Sequence, residues 1–266
     1  MRVTVLGSAS GISMPGRGHT CVALECGRGL YLFDLGEPVG REILARGLPV
    51  ASLKAAFVSH MHSDHAGGLF QLLKNLHLYH NHPRYLPQVD RVTIALPAEA
   101  VDAVKAFSVA MYMFAERMKV RVDYLPISAG PLYRDENIRV TARATAHMDE
   151  YRDLVKSRPE YAALKCEAFS FEVFAEGRRI VYSGDLGSID DILAVARGAD
   201  LVVLEFGHLL PLEENLARLA GLGIGRIILT HIFPDYNDRK CELQASADGV
   251  LPGLVAVADD GLAVTL

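Results

Sequence analysis

The chain has 266 residues, half of them hydrophobic, with a formal net charge of −5 and four cysteines. That length permits one large α/β domain or two small ones around a sizeable core. The mild acidity argues against a generic grip on a nucleic-acid backbone, which calls for a basic face. Cys21, Cys26, Cys166 and Cys241 form no C-x-x-C pair, so reduced, mostly buried thiols are expected.

Met1 to Gly7 enters a strand pattern directly, with no charged segment leading into an apolar stretch, and no membrane-length apolar run follows. The expectation is a cytoplasmic protein with no membrane partner. Val3 to Leu6 reads as a first strand. Gly7-Ser8-Ala9-Ser10-Gly11 reads as a tight turn, since it lacks the G-x-G-x-x-G spacing of a phosphate cradle. Cys21 to Glu25 and Leu30 to Asp34 form a hairpin through Gly27-Arg28-Gly29. A helix over Glu37 to Gly47 follows, with Pro38 near its start and Gly47 as its stop.

Leu53 to Val58 reads as a buried strand, and Gly67-Gly68 opens a helix. Between them lies His60-Met61-His62-Ser63-Asp64-His65. Four metal-competent side chains therefore sit on a strand-to-helix loop at the carboxyl end of a strand, where open α/β sheets hold ligands. His60 and His62 can serve one metal, and Asp64 and His65 then point to a second. A structural zinc site usually contains cysteine and is closed by four protein ligands, which this loop does not offer.

His77, His80 and His82, among Tyr79 and Tyr85, fit no metal spacing and read as a surface loop. Arg91 to Leu96 is a strand. Pro97 opens a helix to about Met118 with Val101, Val104, Phe107, Met111, Phe114 and Met118 on one stripe, either core or a wall of a substrate pocket. Arg139 to Ala146 is a strand ending at His147. The polar stretch over 148–166 is a lid or a solvated helix. Strands follow at Ala168 to Phe174, Arg179 to Ser183, Leu201 to Leu204 and Arg226 to Thr230, with a helix from Asp190 to Arg197 and another from Pro211 to Ala220. One or two short strands end the chain.

Two stretches echo each other in the same order. Gly29 to Gly36 resembles Arg179 to Gly187, and Ala56 to His60 resembles Ile227 to His231. The echo predicts two halves, each a sheet with helices, packed face to face. His60, His62, Asp64, His65, His147, Asp185 and His231 would then converge from strand ends on one edge. Seven such ligands suit two ions with one shared carboxylate.

These motifs resemble the metallo-β-lactamase fold superfamily, marked by H-x-H-x-D-H, and most closely its ribonuclease Z-like branch. Val5 to Gly11, Leu32 to Glu37, the histidine loop, Ser183-Gly184-Asp185, Glu205 and Leu229-Thr230-His231 follow the order of that branch. The resemblance implies a four-layer αββα sandwich. The chain then reads as a single domain over 1–266, in which the helix near 97–119 is an insert that departs from the branch and 148–166 is the candidate lid. It assigns His60, His62 and His147 to one metal and Asp64, His65 and His231 to the other, with Asp185 bridging. Asp34 would orient a ligand, and Glu205 with His208 resembles the acid–histidine pair beside the leaving group. Dimers are common in that branch, so a homodimer is expected to be within reach.

The expected chemistry is metal-dependent hydrolysis by a hydroxide shared between two divalent ions, zinc first, with manganese or iron as alternatives. Asp64, His208 and Glu205 are the candidate catalytic residues. A phosphodiesterase on a small or medium substrate is the leading reading; an ester, thioester or lactone hydrolase on the same metals is the alternative. A redox or metal-holding protein ranks behind both, because His62 stands where diiron relatives carry a carboxylate. The branch's G-E-G-T-Q is here Gly36-Glu37-Pro38-Val39-Gly40, and no glycine- and proline-rich arm is evident. Together with the acidic balance, these departures argue against transfer RNA as the substrate.

Overall fold

The computed structural model describes residues 1–82 and 88–266. The first half of the chain supplies β1 (Arg2–Gly7), β2 (Cys21–Cys26), β3 (Gly29–Phe33), β4 (Leu53–Phe57), β5 (Arg91–Pro97) and β6 (Arg121–Ile127). Helices α1 (Val39–Ala45), α2 (Ser63–Ala66), α3 (Leu69–Tyr79) and α4 (Val101–Ala110) lie between them. The second half supplies β7 (Gly130–Arg134), β8 (Ile138–Ala144), β9 (Phe169–Ala175), β10 (Arg178–Tyr182), β11 (Leu201–Glu205), β12 (Ile227–Thr230), β13 (Val255–Val257) and β14 (Ala263–Thr265). Its helices are α5 (Arg152–Ser157), α6 (Asp190–Ala196), α7 (Leu212–Ala217) and α8 (Lys240–Val250). None of the described helices is long and apolar enough to cross a membrane.

Alternation along the strands builds the layers, because successive side chains point to opposite faces. On β3, Tyr31 and Phe33 face the space between the sheets, while Leu30 and Leu32 face the helices α1 and α3. On β11, Leu201 and Val203 point inward, while Val202 and Leu204 meet the helices of the second half. Three apolar cores result: one under each helical layer and one between the sheets. Phe33 stacks on Phe57 at 5.2 Å and meets Tyr182 at 5.6 Å across the central core. Burying each such ring contributes about 1.5–3 kcal/mol. This is the expected αββα sandwich.

The sheets run β14-β1-β2-β3-β4-β5-β6 and β13-β12-β11-β10-β9-β8-β7. From β1 to β6 the pairings are two antiparallel, then three parallel. From β8 to β13 the same series recurs. The predicted repeat is therefore present, with one adjustment. β10 is the counterpart of β3, as expected. The counterpart of β4 is β11, and β12, which His231 follows, holds the place of β5. The parallel strands bring their carboxyl ends to one edge, and β8 ends at the same edge.

The long helix predicted to reach Met118 stops at Ala110. Tyr112 takes a left-handed conformation (φ 59°), and the amides of Met111 and Tyr112 return to Phe107 and Val109. This closes the last turn, as helix ends commonly do, and Met113 folds back into the core beneath α3 and α4. Strands β6 and β7 and helix α8 are additions that the sequence reading did not include.

Candidate metal centre

Past β4 the backbone leaves the sheet at Val58, whose amide still bonds to Ala95. Ser59 and His60 follow, and the carbonyl of His62 accepts the amides of His65 and Ala66 to close the single turn of α2. This turn points His62, Asp64 and His65 inward from six consecutive residues. Gly36 lets the neighbouring strand end approach it, since a Cβ there would lie 2.4 Å from the carbonyl oxygen of Asp64. On the other sheet, Gly184 adopts a φ of 57° to turn the chain between Ser183 and Asp185. A Cβ at Gly184 would meet the carbonyl oxygen of Phe169 at 2.7 Å. Backbone of this kind admits glycine almost alone.

All seven predicted ligands are brought together. Ligand atoms of His60, His62, His147 and Asp185 lie within 4.8 Å of one another, and so do those of Asp64, His65, Asp185 and His231. Asp185 belongs to both sets. Its Oδ2 is 3.7 Å from His147 Nε2 and 3.4 Å from His231 Nε2, while its Oδ1 is 3.3 Å from His65 Nε2. Asp64 Oδ2 lies 3.2 Å from His231 Nε2. His60 Nε2, His65 Nε2 and Asp185 Oδ1 are buried with no hydrogen-bond partner. Buried polar atoms normally find one. Imidazole nitrogens and carboxylate oxygens converging in this way fit divalent cations, and the residues present therefore fit the metal group that the fold implies.

A buried anion behind the ligands fixes their orientation. Asp34, itself in a left-handed conformation (φ 59°) and fully buried, accepts four bonds. His65 Nδ1 donates at 2.6 Å, the Ser59 amide at 2.6 Å, Ser59 Oγ at 2.8 Å and the Tyr182 hydroxyl at 2.6 Å. Ser59 Oγ also lies 3.0 Å from His60 Nδ1. With Nδ1 donating in both rings, Nε2 of His60 and of His65 is the atom turned to the centre. Asp34 was expected in this role. Ser59 and Tyr182 were not, and Tyr182 reaches Asp34 from the opposite sheet, 148 residues away in sequence.

The electrostatics call for positive charge among these residues. Burial lowers His60 and His62, and lowers His147 to about 4, so these imidazoles are neutral at pH 7. Burial disfavours charge on His65 as well, but Asp185 and Asp34 outweigh it and raise this ring well above its ordinary value. Burial opposes ionisation of Asp64 and Asp185 too, yet the surrounding histidines hold both carboxyls well below the usual range. Asp34, Asp64, Asp185 and Glu205 together crowd four carboxyls into a buried space that calls for cationic charge.

Glu205 ends β11 and binds the next turn. Its carboxylate accepts the amide of Leu186 at 3.2 Å, the amide of His208 at 2.9 Å and Nδ1 of His208 at 3.2 Å. The bond to Glu205 raises His208 to about 8 against partial burial. The His208 ring lies 4.7 Å from that of His147 and is still open to solvent on one side. An imidazolium therefore stands at the rim of the centre, fixed by a buried carboxylate. His77 and His80 take no part: His77 accepts the amide of Lys119, and His80 Nε2 meets the carbonyl of Val89. Tyr85 lies outside the described residues.

A sequence model of the Beta-lactamase superfamily domain matches residues 33–232, more than half of the chain. The chain belongs to the β-lactamase superfamily. Within this superfamily it is 29% identical to ribonuclease Z of Synechococcus sp. (strain WH7803), over 97% of this chain and 94% of that protein. Its fold superposes on the metallo-β-lactamase fold protein YhfI from Bacillus subtilis with a TM-score of 0.77 at 18% identity, covering 99% of this chain and 98% of that one. It also superposes on human tRNase Z, short form, with a TM-score of 0.70 at 21% identity, covering 100% and 99%. This superfamily member is a metal-dependent hydrolase of the ribonuclease Z-like branch. The expectation against transfer RNA is corrected by the sequence relatives, which include ribonuclease Z of Synechococcus and of Methanothermobacter thermautotrophicus. Net charge is a property of the whole surface and does not describe the field over one cleft. The departures at Gly36 to Gly40 leave the ligand geometry intact.

Proposed function

We propose that the protein hydrolyses phosphodiesters, a class that runs from small molecules to RNA. The observation that carries this reading is the sharing of Asp185 between two ligand sets, with the Glu205–His208 pair at their rim. His60, His62 and His147 would hold one divalent cation and Asp64, His65 and His231 the other. The mixed imidazole and carboxylate donors suit zinc, and manganese or iron less well. Such cations would supply Lewis acidity to the phosphoryl group and acidify a water for attack. Asp34 and Ser59 hold the ligand rings in the required tautomer. His208, protonated below about pH 8, is placed to give a proton to the leaving oxygen while Glu205 fixes its Nδ1. The 148–166 segment, as a lid, would close over the substrate from the side of His62.

The test is a panel on metal-loaded protein with a chelator control. It comprises a bis-aryl phosphate, a precursor transfer RNA with a 3′ trailer, an aryl ester, a lactone and a β-lactam. Turnover of either phosphodiester, abolished by chelation, is the expected result. Turnover of the ester or lactone alone would replace this reading with carboxylic-ester hydrolysis, which the apolar cavity beside His62 favours. Asp185→Ala should lose metal and activity together. His208→Ala should keep its metal and lose about 10²-fold or more in kcat. Full turnover by protein carrying one ion or none would overturn the two-cation assignment.

A further inference from the structure

A cavity of about 800 Å³ opens beside the centre. His62 forms its inner end, and the ring of Tyr151 stands 6.1 Å from that of His62. Val104 and Phe107 of α4 form one wall, and Leu154 of α5 and Leu164 form the other. Val104 is buried, but the other three are not packed away: Phe107 is 53% exposed, Leu154 51% and Leu164 49%. Helix α5 buries none of its residues. Apolar side chains gathered around one concavity, rather than scattered, mark a binding surface.

The cavity also offers little to a polar ligand. Among the described residues Glu99 is the one fully charged side chain in its lining; His62 is neutral, and the hydroxyls of Tyr151 and Tyr161 and the Cys166 thiol are the other polar groups. That carboxylate is already engaged, accepting the backbone amides of Lys165 and, at 3.0 Å, of Glu167. In turn, Glu167 accepts the Glu99 amide at 3.1 Å. Glu99 thus ties the outer wall to the start of α4. Two tyrosine hydroxyls and a thiol are fewer partners than a nucleobase edge calls for, whereas an alkyl or aryl group needs none.

We propose that this cavity receives an uncharged alkyl or aryl group carried by the substrate next to its scissile bond. The proposal rests on the hydrolase reading in one respect, that His62 marks the reacting end. The specificity it predicts grows with chain length. Each methylene buried is worth about 0.8 kcal/mol, or about fourfold in binding.

Alkyl phosphates from ethyl to octyl, titrated calorimetrically into metal-loaded protein, read this directly. The matching p-nitrophenyl alkyl phosphates read it in turnover. Affinity is expected to tighten about fourfold per methylene until the cavity fills. Leu154→Asp and Leu164→Asp, both at exposed positions, should flatten that slope. Leu44→Asp on α1, far from the cavity, should leave it unchanged. A flat slope in the unmodified protein, or tighter binding of thymidine 5′-phosphate than of octyl phosphate, overturns the proposal. So does sedimentation of a dimer that Leu154→Asp dissociates without altering the slope, since the wall is then a contact between copies. Chain-length tightening with no turnover of any phosphodiester supports the cavity and sinks the phosphodiesterase reading. Turnover with no chain-length effect does the reverse.

Discussion

Asp34 is the residue on which the ligand geometry turns. It touches no predicted cation position, yet it receives bonds from His65, Ser59 and Tyr182. Asp34→Asn should fold but place an amide where an anion accepts, misdirecting the His65 ring. Metal affinity should fall about 10–100-fold, read by competition with a chromophoric chelator. Tyr182→Phe removes one donor to a buried carboxylate and should cost about 1–3 kcal/mol in denaturant unfolding while the ligands stay in place. The contrast separates orientation from stability. It also explains what the sequence revealed at this scale. His60 to His65 are contiguous, and His147, Asp185 and His231 each end a recognisable strand, so their convergence follows from the pattern. Tyr182 lies inside a strand like any core tyrosine. Its bond to Asp34 exists only because two sheets meet, and no local signal encodes that.

At the scale of elements, legibility followed burial. Strands flanked on both faces by packed layers, such as β3 and β11, read as near-continuous apolar runs. β6 and β7 are edge strands, one on each sheet, with mostly half-exposed residues and a proline in each. Edge strands blunt their own pattern in this way. Helix α8 buries only Leu243 and Ala247, too narrow a stripe to stand out. The overlong α4 has a different cause: the apolar spacing continues past Ala110 because Met113 serves the same core from a reversed chain. Tyr112 at that reversal is 79% exposed with a φ of 59°. Tyr112→Gly should therefore raise stability by up to about 1 kcal/mol, measured by the midpoint of urea unfolding, because glycine takes the left-handed conformation without strain.

At the scale of the molecule, the centre lies where the two sheets meet. His60 to His65 come from the first sheet, and His147, Asp185 and His231 from the second. A cation held by both is linked to the folding of both. Chelation should lower the melting temperature as well as abolish activity, and returning the metal should restore both, as followed by calorimetry. The loss should be absent in Asp185→Ala, which starts without the cation. The internal echo made this two-sheet plan legible, while the exchange of β11 and β12 as partners of β4 and β5 became visible only with strand order.

The pairing of β14 with β1 has a consequence during biosynthesis. The first sheet is one strand short until Ala263–Thr265 leave the ribosome. Throughout translation β1 presents a bare row of amides and carbonyls to any extended chain nearby. Vectorial synthesis therefore leaves the amino-terminal half in need of guarding, and a nascent polypeptide stalled before residue 263 should recruit holdase chaperones that the finished protein does not bind.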